Sequence, residues 1–146
     1  MSRSGYSDDG DGSIALWRGQ VANALRGKRG QKFLRDLLDG LDALPEKVLI
    51  EGRLQDAGTG CVCALGAVGV KRGVNLTLLE PFVEEADNAP VAKAFDIAFQ
   101  LACEVQWIND EAGPYRGETP RARWERVRAW AISNLEGDLP STPVPA

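Results

Sequence analysis

The stretch from Gln31 to Ala43, "QKFLRDLLDGLDA", narrows the fold more than any other. Phe33, Leu34, Leu37, Leu38 and Leu41 recur three and four residues apart, which places them on one stripe of an α-helix. On a strand the same residues would scatter over both faces. Pro45 ends the pattern, because proline lacks an N–H and its ring clashes with the preceding turn. An apolar stripe of this kind needs other helices to cover it.

The rest of the chain offers them. A first helix runs from about Ile14 to Leu25, with Leu16, Trp17, Val21, Ala24 and Leu25 as its apolar face. A third runs from about Ala64 to Arg72. It combines Gly66 and Gly69 with Ala64 and Ala67, and such small residues let a neighbouring helix approach closely, so it is expected to be the central buried helix. Lys71 and Arg72 suit the negative end of its dipole, and Gly73 suits the left-handed position just after it. Asn75 to Glu80 reads as a connector, and Pro81 opens a short helix through Ala86. Pro90 to Glu111 reads as one more helix, with Ile97, Leu101, Val105 and Ile108 on one face and Gly113-Pro114 after it. Thr119-Pro120 is a helix start, an N-cap residue followed by proline at the first helical position. The last helix turns Trp124, Val127, Ala131 and Leu135 inward and Arg121, Arg123, Arg126 and Arg128 mostly outward.

Only Val48 to Leu54 and Cys61 to Cys63, on either side of "DAGTG", read as strands, and they make a short hairpin at most; a helix over Val48 to Leu54 is the competing reading. At 146 residues the chain is one domain by size. The expected fold is therefore mainly α: a compact bundle of five or six helices around the Gly/Ala-rich helix. Residues 1–13 form a polar arm, 14–136 the helical domain and 137–146 a proline-rich tail.

Composition removes several function classes. The chain has no histidine, which takes away the usual general base and the commonest metal ligand. Its three cysteines, Cys61, Cys63 and Cys103, do not make a C-x-x-C pair or a four-ligand zinc set, and they read as buried free thiols in a reducing compartment. Neither a metal nor another cofactor is expected. A net charge of −4 argues against a general nucleic-acid coat. Residues 1–13 lack the apolar core of a signal peptide, and the longest uncharged apolar run, "CVCALGAVGV", is too short for a membrane span. The expectation is a soluble intracellular protein that does not enter a membrane. "DDGDGS" near the start fails as a calcium loop, with Ile14 where glycine is required and Gln20 where the bidentate glutamate belongs.

Three stretches carry candidate chemistry. "RGKRGQKFLR" brings Arg26, Lys28, Arg29, Lys32 and Arg35 to the start of the second helix, where free N–H groups favour an anion. It lacks the Ser or Thr of a P-loop, and an ordinary turn with exposed cations explains both glycines: Gly27 in the left-handed position and Gly30 for close entry. "NDE" sets Asp110 and Glu111 beside Asn109 near a helix C-terminus, against the dipole, and Arg116, Arg121 and Arg123 are expected to compensate them. "VAKAFDIAFQLACEVQWIN" looks somewhat like a helix-turn-helix unit. However, Asp96 replaces its turn glycine, and Phe99, Gln100, Cys103 and Glu104 fall where basic and base-reading residues belong, so a core helix is the plainer reading.

Taken together, "SRSGYSDD", "LWRGQVANALRGKRGQKFLRDLLDGLDALPEK", "CALGAVG", "NDEAGP" and "TPRARWERVRAW" resemble a group of small uncharacterised proteins of tailed bacteriophages and prophages. The chain departs from that group near "VNLTLLEPFVEEADN". The resemblance carries no activity and no site residues. It implies the bacterial host cytoplasm, a phage accessory role, and interference with host machinery. The expected function is non-enzymatic binding of a host or phage macromolecule, with an anti-defence inhibitor of the anti-CRISPR type as its most concrete form. A nucleic-acid-binding regulator using Gly27 to Arg35 is the alternative, and an enzyme working with carboxylates alone comes third.

Overall fold

The computed structural model describes residues 12–114 and 117–136. Seven helices occur among them: α1 Gly12–Arg26, α2 Lys28–Ala43, α3 Ala64–Arg72, α4 Leu76–Glu84, α5 Asn88–Ala94, α6 Phe99–Asp110 and α7 Pro120–Asn134. The protein is mainly α, with seven helices among the described residues where the sequence pattern suggested five or six. No helix among the described residues is long and apolar enough to cross a membrane.

The stripe on α2 behaves as its spacing requires. Phe33, Leu34, Leu37, Leu38 and Leu41 are all buried, in one core with Leu65 and Ala67 of α3. Glycine permits the α2–α3 contact: a Cβ at Gly40 would lie 2.6 Å from the Ala67 carbonyl oxygen. Ala64 to Gly69 are buried, and a Cβ at Gly66 would sit 2.2 Å from the Leu54 oxygen, so α3 is the inner helix its composition announced. Gly73 ends α3 in the left-handed region, with φ 73°.

Elsewhere the structure corrects the reading. Pro81 does not open a helix. It lies inside α4, which starts at Leu76 under a cap in which Thr77 N–H donates to Asn75 Oδ1. The long helix expected from Pro90 is two, α5 and α6, broken where Asp96 takes a φ of 53°. Leu16, assigned to the inner face of α1, is 66 % exposed. Thr119 caps α7 by accepting from the Ala122 N–H, and Val127 and Ala131 face inward as expected.

The hairpin is absent. Residues 48–63 hold one isolated bridge, Gln55 to Val62. Ile50 N–H donates to Val62 O, Cys63 N–H to Leu54 O and Asp56 N–H to Cys61 O, but these bonds do not extend into a regular ladder, and other backbone groups of the segment find partners outside it. Leu49 N–H donates to the Pro120 carbonyl, and Leu49 O accepts from Arg123. Ile50 O accepts from Asn109, and the Leu54 and Gln55 N–H groups both donate to the Glu80 carboxylate. Leu49 and Leu54 are fully buried, so the segment is an irregular strap held against α4, α6 and α7.

Candidate functional site

The first candidate is the corner between α1 and α2. Gly27, the single residue between them, has φ −72° and ψ 167°, so it is extended and not in the left-handed position assigned to it. Its N–H donates to Asn23 O, and its carbonyl accepts from Gln31 N–H. The glycine that the corner requires is Gly30: a Cβ there would fall 1.9 Å from the Ala24 oxygen, so α1 and α2 meet backbone to backbone. Gln31, which sequence reasoning passed over, locks the corner. Its buried amide donates to Leu25 O at 2.6 Å and to Asn134 O at 3.1 Å, and accepts from Glu136 N–H at 2.8 Å. An amide in a helix that is otherwise strongly two-faced was the available signal.

With Gly30, Gln31, Phe33 and Leu34 turned in, the cations turn out. Lys28, Lys32 and Arg35 stand at i, i+4 and i+7, an exposed stripe of about 10 Å along α2. Arg29 reaches Asp96 at 3.2 Å in an exposed pair, and Arg26 donates to Asn23 at 2.6 Å. Lys32 meets Asp36 at 3.3 Å, but Asp36 belongs mainly to Arg72, 2.8 Å away. Partial burial pushes the Asp36 carboxyl up, yet the hydrogen bonds from Arg72 and Lys32 outweigh it and leave it below its ordinary value. Lys28 and Arg35 form no ion pair with a described residue.

The placement runs against the helix dipole. α2 has no acid in its first turn and no base in its last. Cations at a helix N-terminus lose a few tenths of a kcal/mol each. They also add to the positive potential of the free N–H groups there. The corner is thus a small positive surface on a chain of net charge −4. Cations grouped in this way can pair with carboxylates or phosphates.

The second candidate resolves into a structural device. Asn109 is buried. Its Oδ1 accepts from Ala64 N–H at 3.0 Å, which caps α3, and its Nδ2 donates to Ile50 O and to Asp110. Arg123 is not outward: it is 7 % exposed and donates to Asn109 O and Leu49 O, 3.1 Å each. Arg126, half-buried, donates to Ile108 O and Asn109 O and grips Glu118 with two bonds, at 2.7 and 2.9 Å. Two arginines of α7 thereby satisfy the last carbonyls of α6. Arg123, expected to meet Asp110 or Glu111, donates to the Asn109 and Leu49 backbone oxygens. Arg121 pairs with Glu125 on its own helix, and Arg116 lies outside the described residues. Asp110 accepts from Gly52 N–H. Glu118, the residue that sequence reasoning missed, has its carboxyl held below the ordinary value chiefly by the Arg126 hydrogen bonds.

The stretch with the helix-turn-helix likeness is two helices, α5 and α6, broken at Asp96. Val91, Ala92, Phe95, Ile97, Ala102 and Val105 are buried around the Asp96 turn. The face of α6 that would meet bases is covered in part by α1: Phe99 packs edge-on against Trp17, Gln100 donates to Gln20, and Cys103 is buried. All three cysteines are free thiols. Cys63 and Cys103 are buried, whereas Cys61 is only half-buried, against expectation. The "DDGDGS" stretch lies mostly outside the described residues. No family model, curated protein or solved structure matches this chain.

Proposed function

We propose that this is a non-enzymatic binding protein that presents the α1–α2 corner, Arg26, Lys28, Arg29, Lys32 and Arg35, to an acidic surface on a host or phage protein. The observation that carries the reading is the stripe itself: Lys28 and Arg35 are exposed and have no described acidic partner, and Lys28 stands at the first position of α2, where the dipole opposes it. Charge kept at an unfavourable end has its natural explanation in what approaches it. The resemblance to tailed-phage proteins supplies the setting, the bacterial host cytoplasm, and makes an anti-defence inhibitor of the anti-CRISPR type the most concrete form of the reading.

Nucleic acid is the second reading, since the same cations suit phosphates. The test separates the two. Tagged parent protein and a Lys28→Glu, Arg35→Glu variant are used to pull partners from phage-infected bacteria, with and without nuclease. A protein partner that survives nuclease and is lost with the variant supports the proposal. Salt-steep binding of the parent to mixed-sequence DNA or RNA, abolished in the variant, would replace it with the nucleic-acid reading. Capture that is equal for parent and variant removes the corner from the function altogether.

A further inference from the structure

Helix α4 is apolar on both sides. Leu76, Leu79 and Val83 point into the core. Leu78, Pro81 and Phe82, at i, i+3 and i+4, point the other way; Leu78 is 68 % exposed and Phe82 37 %. A helix apolar all round is normally covered all round. Single exposed apolar residues need no explanation, but three adjoining on one helix face form a patch of the kind partners use.

The charge around the patch says what kind of partner. Glu84 and Glu85 close the C-terminal end of α4, both exposed, and neither forms an ion pair with a described residue. They stand at the negative end of the helix dipole, an unfavourable place for an acid. The third acid of α4, Glu80, is already committed to the Leu54 and Gln55 N–H groups. The outward face is therefore an apolar strip rimmed by two uncompensated carboxylates. An anionic lipid surface would be repelled by that rim. A symmetric contact with a second copy would set like charges against each other.

We infer that the outward face of α4 is a docking surface for an amphipathic helix of another protein, one whose apolar residues are flanked by lysine or arginine. Leu78 and Phe82 supply the contact area, and Glu84 and Glu85 set orientation and preference. The surface is separate from the α1–α2 corner and does not depend on what that corner binds.

The test uses the whole chain and two synthetic helical peptides of about 16 residues, long enough to hold a helix. Both carry leucines at i, i+3, i+4 and i+7. One has lysine at the flanking positions, the other glutamate. Fluorescence anisotropy at about 150 mM salt should show the lysine peptide binding at least about tenfold more tightly. Leu78→Ser, at an exposed position, should weaken that binding about tenfold while the circular-dichroism melt is unchanged. Glu84→Lys with Glu85→Lys should reverse the preference in favour of the glutamate peptide. Equal binding of both peptides, no binding of either, or a preference unmoved by the charge reversal overturns the inference. So does sedimentation showing that Leu78→Ser dissolves a dimer of the parent, which would make a second copy the occupant.

Discussion

The same substitution, glycine to alanine, should act with opposite sign at two positions of the α1–α2 pair. Gly19 lies within α1 with nothing within 4 Å of where a Cβ would be. Alanine there gains helix propensity, about 1 kcal/mol. Gly30 gains the same propensity, but its Cβ would lie 1.9 Å from Ala24 O, 2.9 Å from Ala24 C and 3.0 Å from Leu25 Cα, all backbone atoms. A carbon and a carbonyl oxygen rest near 3.3 Å, so the helices must part by more than about 1 Å. Overpacking of a core costs about 1–3 kcal/mol, and backbone on both sides puts this case at the upper end. Parting also stretches the 2.6 Å bond from Gln31 to Leu25 O, worth about 1 kcal/mol. Gly30→Ala should therefore lose about 3 kcal/mol after its propensity gain, while Gly19→Ala is as stable as the parent or more so. Urea melts followed by circular dichroism would read this as a fall in midpoint on the order of 1 M for Gly30→Ala. A Gly30→Ala midpoint at or above that of the parent, with unchanged slope, would show that the backbone contact between α1 and α2 is not as described.

Leu37→Ala, at a fully buried position of α2, should cost about 2–5 kcal/mol in the same assay, and a loss below about half a kcal/mol would remove it from the core. Glu118 has a carboxyl lowered in the folded state, so its stabilising contribution is present above the unfolded glutamate value and is lost as pH falls through the folded one; Glu118→Gln should cost about 2 kcal/mol at neutral pH and flatten the acid limb of the stability curve, and an unchanged limb would contradict the Arg126 grip. A native thiol titration should label Cys61 first, with Cys103, whose thiol is pushed up by burial, reacting only on unfolding; simultaneous labelling of all three would refute the burial pattern. Native mass spectrometry is expected to find the three thiols reduced and without zinc, and stoichiometric zinc would overturn that.

What could be read from the sequence was local. The α2 stripe, the Thr119-Pro120 start and the Gly73 stop are each decided within a turn or two, so spacing and residue type suffice. Arg123 could not be placed that way. On α7 it resembles its outward neighbours, and what draws it in is the set of carbonyls at the end of α6, 14 residues away. The break at Asp96 lacked the glycine that usually marks a left-handed residue. A short hairpin at most was expected, because two short apolar runs flank the glycine-rich turn "DAGTG". The two arms do meet, through Ile50 N–H to Val62 O and Cys63 N–H to Leu54 O, but Leu49 O, Ile50 O and the Leu54 and Gln55 N–H groups are taken by side chains of three helices, so no regular ladder forms. At the candidate corner, residue types revealed the cations, but their exposure and their pairing with Asp96 and Asp36 depend on the tertiary fold.

The strap at residues 48–63 has a kinetic consequence. Some of its amides are held by groups far along the chain: Leu54 by Glu80, 26 residues on, and Ala64, just beyond it, by Asn109, 45 residues on. Leu49 N–H is held by Pro120 O. None of these bonds can close until α4, α6 and α7 are in place, and contacts of such sequence separation form slowly. In hydrogen–deuterium exchange during refolding, Leu49 and Leu54 should gain protection after the α2 amides, whose bonds are internal to one helix. At equilibrium the same two amides report the docking of different helices, Leu49 that of α7 and Leu54 that of α4. The chain thus carries one probe for the docking of α7 and another for that of α4.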